Sequence, residues 1–117
     1  MITISDTKAR ILRDEPHWAV ALMDFVDDFR RSRDPSAVSE PPPLTHVKWD
    51  SLLAATVESL CEQAGMEPPP WVWDTPPCGD PWFVSGMESL KAIALVESPL
   101  PFRLRKIFVL ENFLSRV

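Results

Sequence analysis

The placement of proline constrains this chain more than any other feature of its sequence. Proline has no backbone donor and its ring clashes with the preceding helical turn, so it suits the first turn of a helix and breaks one elsewhere. The chain has 13 prolines, and most are clustered, at Pro41 to Pro43, at Pro68 to Pro70, from Pro76 to Pro81, and at Pro99 and Pro101. Long regular elements are confined to the stretches between these clusters, where apolar residues recur at helical spacing.

From Thr3 to Arg33 the pattern is helical, with Pro16 placed to open a second helix. A short helix is predicted from about Asp6 to Arg13, and a longer one follows. On the longer one Trp18, Ala21, Leu22, Phe25, Val26 and Phe29 share a face, which requires something to pack against. Asp24, Asp27, Asp28, Arg30 and Arg31 lie opposite, with Asp27 and Arg31 one turn apart. Residues 35–44 read as a proline-rich linker. Helix signals resume with Thr45 as N-cap and end at Gly65, suited to a left-handed C-terminal position. Trp49, Leu52, Leu53, Thr56, Val57, Leu60, Cys61 and Ala64 make its apolar stripe, and Asp50, Glu58, Glu62 and Gln63 are expected to face out.

The segment from Met66 to Phe83 holds six prolines and Trp71, Trp73 and Trp82, so it is predicted to be an irregular loop. Ser85 and Glu88 have the spacing of a capping box, ahead of a third helical pattern through Met87, Leu90, Ile93, Ala94 and Glu97. Beyond Pro101, Arg103 to Lys106 fits a helical turn, Ile107 to Leu110 fits either helix or extended chain, and Glu111 to Val117 fits a final turn. The prediction is therefore an all-α, compact single domain of four to five helices with a Pro/Trp-rich irregular loop. Its parts are a helical segment over 1–34, the linker over 35–44 and a helical core over 45–117.

Charge is distributed unevenly: residues 1–40 carry net −2, residues 41–97 net −6 and residues 98–117 net +3. The overall balance of −5 disfavours non-specific phosphate binding but leaves room for a local basic patch. The basic end also carries Phe102, Leu104, Ile107, Phe108 and Val109, which a solvated tail would lack, so it is expected to be docked. Charges from Asp6 onward leave no signal-peptide core, and no stretch approaches the ~18 apolar residues of a membrane span. A cytoplasmic protein with Cys61 and Cys78 reduced is the corresponding expectation.

No catalytic signature emerges. His17 and His46 stand apart without zinc-ligand spacing, and Gly65, Gly79 and Gly86 are isolated, so no phosphate loop forms. Carboxylate pairs such as Glu58 and Glu62, or Asp24 and Asp28, read as solvated helix faces. No nucleophile has a plausible base beside it. No catalytic residue, metal site or cofactor is assigned, and the chain is not expected to be an enzyme. The tryptophans of the proline-rich segment suit a rigid aromatic surface, although packing on proline to close a small core accounts for them equally well. Arg103, Arg105, Lys106 and Arg116 can pair with acidic helices of the same chain, with an acidic partner protein or with nucleic acid.

The order Glu97-Ser98-Pro99, Phe102-Arg103, Arg105, Ile107-Phe108-Val109, Glu111-Asn112 and Leu114-Ser115-Arg116 resembles the C-terminal block of a group of small bacterial proteins encoded beside nucleotidyltransferase-like proteins. The resemblance extends to the proline-rich join at Glu40 to Leu44 and to the tryptophan segment around Pro69-Pro70-Trp71 and Pro81-Trp82-Phe83. It departs at Lys106, where asparagine is expected, and at Leu110, where a polar residue is expected. It implies an antitoxin-like or accessory partner that binds and restrains a cognate nucleotidyltransferase-like toxin. The predicted partner-binding residues are Trp71, Trp73, Trp82, Phe83, Phe102, Arg103, Arg105 and Phe108, with the arginines paired to carboxylates such as the metal-binding acids of a transferase. The alternatives are a small RNA- or DNA-binding accessory subunit using the C-terminal basic patch, or a structural homodimer.

Overall fold

The computed structural model describes residues 1–115 and is mostly helical. The first helix, α1 (Ile4–Arg13), starts two residues ahead of the predicted Asp6. Thr3 and Asp6 form a reciprocal capping box there: the Thr3 hydroxyl accepts from the Asp6 amide and the Asp6 carboxylate from the Thr3 amide. Pro16 sits in a 3₁₀ turn over Glu15–His17, and α2 (Trp18–Ser32) follows. The face of α2 predicted to be apolar is buried at Ala21, Leu22, Phe25, Val26 and Phe29, and Trp18 is half-buried. On the other side Arg31 pairs with Asp28, three residues earlier, at 2.6 Å. The Ile2 amide and Arg31 hold the Asp28 carboxyl below the usual carboxylate range.

Residues 35–44 pack into the fold, which corrects their reading as a linker. Ala37, Val38 and Pro42 are buried, the Val38 carbonyl accepts from the Trp71 indole at 2.8 Å, and the Pro43 carbonyl accepts from the Lys8 ammonium.

The central element is α3 (Val47–Gln63), in which every residue from Trp49 to Cys61 is buried. Its N-cap is His46 rather than Thr45, and the Asp50 carboxylate accepts from the His46 amide at 2.9 Å. The Thr45 hydroxyl instead accepts from Lys8 at 3.2 Å. Asp50 and Glu58 were expected to face solvent and are both buried, while Glu62 and Gln63 are exposed as predicted. Asp50 pairs with Lys8 of α1 at 2.6 Å, with 3% of each side chain exposed. Glu58 pairs with Arg105 at 2.8 Å. A charge leaves water only if it is paired, so these two carboxylates fix which segments lie against α3. Gly65, at φ +69°, ends the helix as expected.

Beyond α3 the elements are short: α4 (Trp71–Asp74), β1 (Trp82–Phe83), a 3₁₀ turn over Glu88–Leu90, α5 (Lys91–Glu97), α6 (Leu100–Arg103) and β2 (Ile107–Phe108). The capping box predicted at Ser85 and Glu88 does not form. Gly86 adopts φ +68°, off the path into a helix, and it is the Met87 amide that reaches the Ser85 hydroxyl, at 3.4 Å. Strands β1 and β2 pair in parallel, Trp82 with Ile107 and Phe83 with Phe108. This pair is an addition to the all-α prediction, and it settles residues 107–108 as extended. One hydrophobic cluster runs from Ile4 to Leu114 through all the longer helices except α5.

Lys8→Met should cost about 3–5 kcal/mol of unfolding free energy, because it leaves Asp50 buried and unpaired. The double variant Lys8→Met/Asp50→Asn keeps an acceptor for the His46 amide and should recover most of that loss. Urea denaturation of the two variants checks this, and a single variant no less stable than the double would contradict the role given to the pair.

Candidate interaction surface

The predicted partner-binding residues divide into three sets once the chain is folded. Trp71, Phe102 and Arg105 are buried in the chain's own core, which corrects their placement on a partner-facing surface. The reason is visible in each case. The Trp71 indole finds its acceptor on Val38. In the single turn of α6, Pro101 and Phe102 point inward while Leu100 and Arg103 point outward, and Phe102 meets Phe113 edge-on at 5.6 Å. The Arg105 guanidinium bonds the Pro101 carbonyl at 2.7 Å and the Val72 carbonyl at 3.3 Å besides pairing with Glu58. Its fork therefore ties α3, α4 and α6 together at one point.

The second set, Trp82, Phe83 and Phe108, is half-buried on and around the parallel strand pair. Phe83 and Phe108 stack at 5.0 Å as register partners, with the Lys91 ammonium 5.3 Å from the Phe83 ring. Trp82 packs on Trp18 and Trp49 at 5.6 and 5.7 Å, and the Lys48 ammonium lies 4.3 Å from its ring. The Trp49 indole donates to Glu15 at 3.0 Å. The three tryptophan rings close the core between α2, α3 and the strands.

Trp73 and Arg103 form the third set and are exposed. Trp73 is 60% exposed and shares a cleft of about 190 Å³ with Leu104, which is 63% exposed; Glu58 and Arg105 lie in the floor. Leu100 is one turn before Leu104, joined by the Leu104 amide to Leu100 carbonyl bond at 2.9 Å, and is equally uncovered. The Arg103 guanidinium rests on the Ser98 and Val96 carbonyls at 2.9 and 3.2 Å, beside this strip. Trp73, Leu100 and Leu104 thus make an apolar strip with a cation at its margin. The predicted partner-binding set includes Phe102 and neither Leu100 nor Leu104, although the four-residue spacing of the two leucines places both on one helical face. Lys106 sits in the turn that follows, at φ +61°, a conformation that asparagine tolerates better than lysine. That is the residue the resemblance leads one to expect there.

His17 pairs with Asp14 at the surface at 3.0 Å, and His46 contacts Thr45 at 2.8 Å. Among the described residues no three His, Cys, Asp or Glu side chains come together to hold a metal, and no helix is long and apolar enough to cross a membrane. Both cysteines are free. Burial pushes the Cys61 thiol up, and it pushes up Cys78 against the opposing pull of Ser51, Lys48 and Lys106; neither has the depressed thiol of a nucleophile. Slight desolvation against the helix surface and the neighbouring Glu58 also raise the carboxyl of the exposed Glu62, the ordinary response of a carboxylate beside another. Arg116 lies outside the described residues. Comparison with protein families, curated proteins and solved structures finds no match.

The two arginines should now behave differently under mutation. Arg105→Ala should cost about 3–5 kcal/mol by leaving Glu58 buried and unpaired, whereas Arg103→Ala and Trp73→Ala, at the surface, should each cost about 1 kcal/mol or less. Thermal and urea unfolding of the three variants checks this ordering. Equal losses for Arg103 and Arg105 would contradict it.

Proposed function

We propose that this chain is a non-catalytic binding protein, an antitoxin-like partner that binds and restrains a cognate nucleotidyltransferase-like protein. The observation that carries the reading is the uncovered strip of Trp73, Leu100 and Leu104 with Arg103 beside it. Apolar side chains grouped around an aromatic anchor and rimmed by an arginine are the usual composition of a protein interface. In this reading the Pro/Trp-rich segment closes one side of the helical domain and presents Trp73 from α4. The apolar strip supplies buried area, and Arg103 pairs with a carboxylate of the partner. The C-terminal resemblance supplies the partner's class, through the genes that neighbour that group.

A nucleic-acid role for the C-terminal basic set is the weaker reading. Arg105 is committed to Glu58 inside the fold, which leaves Arg103 and Lys106 as the exposed cations of that set among the described residues, too few for a strong electrostatic footprint.

Co-expression with the neighbouring nucleotidyltransferase-like protein tests the proposal. The two should co-purify, growth inhibition by the neighbour should be relieved, and Trp73→Ala together with Arg103→Ala should weaken the complex at least about tenfold, the equivalent of ~1.4 kcal/mol. Absence of co-purification with toxicity unchanged would sink the reading. A complex indifferent to both substitutions would move the interface elsewhere.

A further inference from the structure

The last turns of α2 and α3 meet at a cleft of about 210 Å³ lined by Phe29, Arg30, Arg33, Leu60, Gln63 and Ala64. Phe29 and Leu60 belong to the core and, with the half-buried Ala64, give the cleft an apolar wall. The two arginines give it a pair of guanidiniums, and among the described residues no carboxylate lines it. Arg30 bonds the Leu114 carbonyl at 2.6 Å and the Gln63 side-chain oxygen at 3.3 Å, both uncharged acceptors. Arg10, Arg31 and Arg105 each reach a carboxylate, whereas among the described residues the Arg33 guanidinium has neither an ion pair nor a hydrogen bond.

The backbone at Arg33 points the same way. Arg33 ends α2 in the left-handed conformation, at φ +50° and ψ +34°, with its amide on the Phe29 carbonyl at 2.7 Å. Glycine takes that position without steric cost, as Gly65 does after α3. The turn itself does not require an arginine, and what the arginine adds is a guanidinium at the cleft. The charge balance leaves that cation over. Both helices end at this corner, and each carbonyl end carries roughly half a negative elementary charge, so the two ends offset about one of the two guanidinium charges.

We propose that this cleft binds a small aliphatic monocarboxylate. The guanidinium fork matches the two oxygens of a carboxylate, and a remaining charge of about +1 suits a monoanion better than a phosphate dianion. Gln63, whose side-chain oxygen is taken by Arg30, has its amide nitrogen left as a further donor. The wall of Phe29, Leu60 and Ala64 receives a short branched hydrocarbon body. The cleft is smaller than the roughly 300–1,000 Å³ of sites for drug-sized ligands, so the ligand has few heavy atoms and a dissociation constant on the order of millimolar. No residue is shared with the strip of Trp73, Leu100 and Leu104, so carboxylate binding and partner binding can fail independently.

Titration of the isotope-labelled chain with 3-methylbutyrate tests the proposal, followed by NMR at the Arg30 and Arg33 Nε–H groups and the Gln63 and Ala64 amides at fixed pH and ionic strength. These resonances should shift saturably. Acetate, which has the carboxylate without the hydrocarbon body, should bind at least about threefold more weakly, and inorganic phosphate no more tightly than acetate. Arg33→Gly relieves the left-handed turn, so it should leave the melting temperature unchanged or raised while weakening 3-methylbutyrate at least about tenfold. The proposal is overturned by the absence of a saturable shift at tens of millimolar, by equal binding of acetate, by phosphate binding tightest, or by an Arg33→Gly chain that binds like the wild type.

Discussion

Everything else in this fold depends on two buried carboxylates on one helix. Because α3 is buried from Trp49 to Cys61, the rest of the chain must surround it, and Asp50 and Glu58 must each be met by a cation inside the protein. Lys8 comes from the N-terminal helix and Arg105 from the C-terminal segment. The partners are thus drawn from opposite ends of the sequence. A buried ion pair adds little net stability over a well-packed apolar pair, but losing one partner is costly. The two pairs therefore act against alternative packings of the chain ends more than as a source of stability.

The same constraint separates latch from surface in the basic C-terminal segment. Arg105 bonds Glu58 and two carbonyls and holds α3, α4 and α6 at a common point. Two residues earlier, Arg103 points the other way, toward carbonyls at the edge of α5. Because α6 is a single turn, the inward positions of Pro101 and Phe102 oblige Leu100 and Arg103 to face out, with Leu104 beyond them. The exposed strip is a consequence of how the latch closes.

The long helices were legible because their evidence is periodic: α2 buries five of the six residues predicted for its face, and α3 ends at Gly65. Residues whose surroundings come from distant segments were not. Asp50 and Glu58 looked like surface charges because nothing local announces a lysine 42 residues away or an arginine 47 residues away. Two-residue strands leave no alternation to detect, so the pairing of Trp82 and Phe83 with Ile107 and Phe108 could not be anticipated from sequence. The aromatic bias of the predicted site failed for a related reason. Trp71 and Phe102 are large enough to be valuable in the core, and α4 and α6 turn them there, while the smaller Leu100 and Leu104 remain outside.

Residue-resolved native-state hydrogen exchange tests the central claim most directly. If the fold is organised around α3, the amides from Leu52 to Cys61 exchange only through global opening, with a free energy equal to that from denaturant unfolding, while amides of α5 exchange through a far smaller local opening. Exchange of the α3 amides at the free energy of α5 would contradict that organisation.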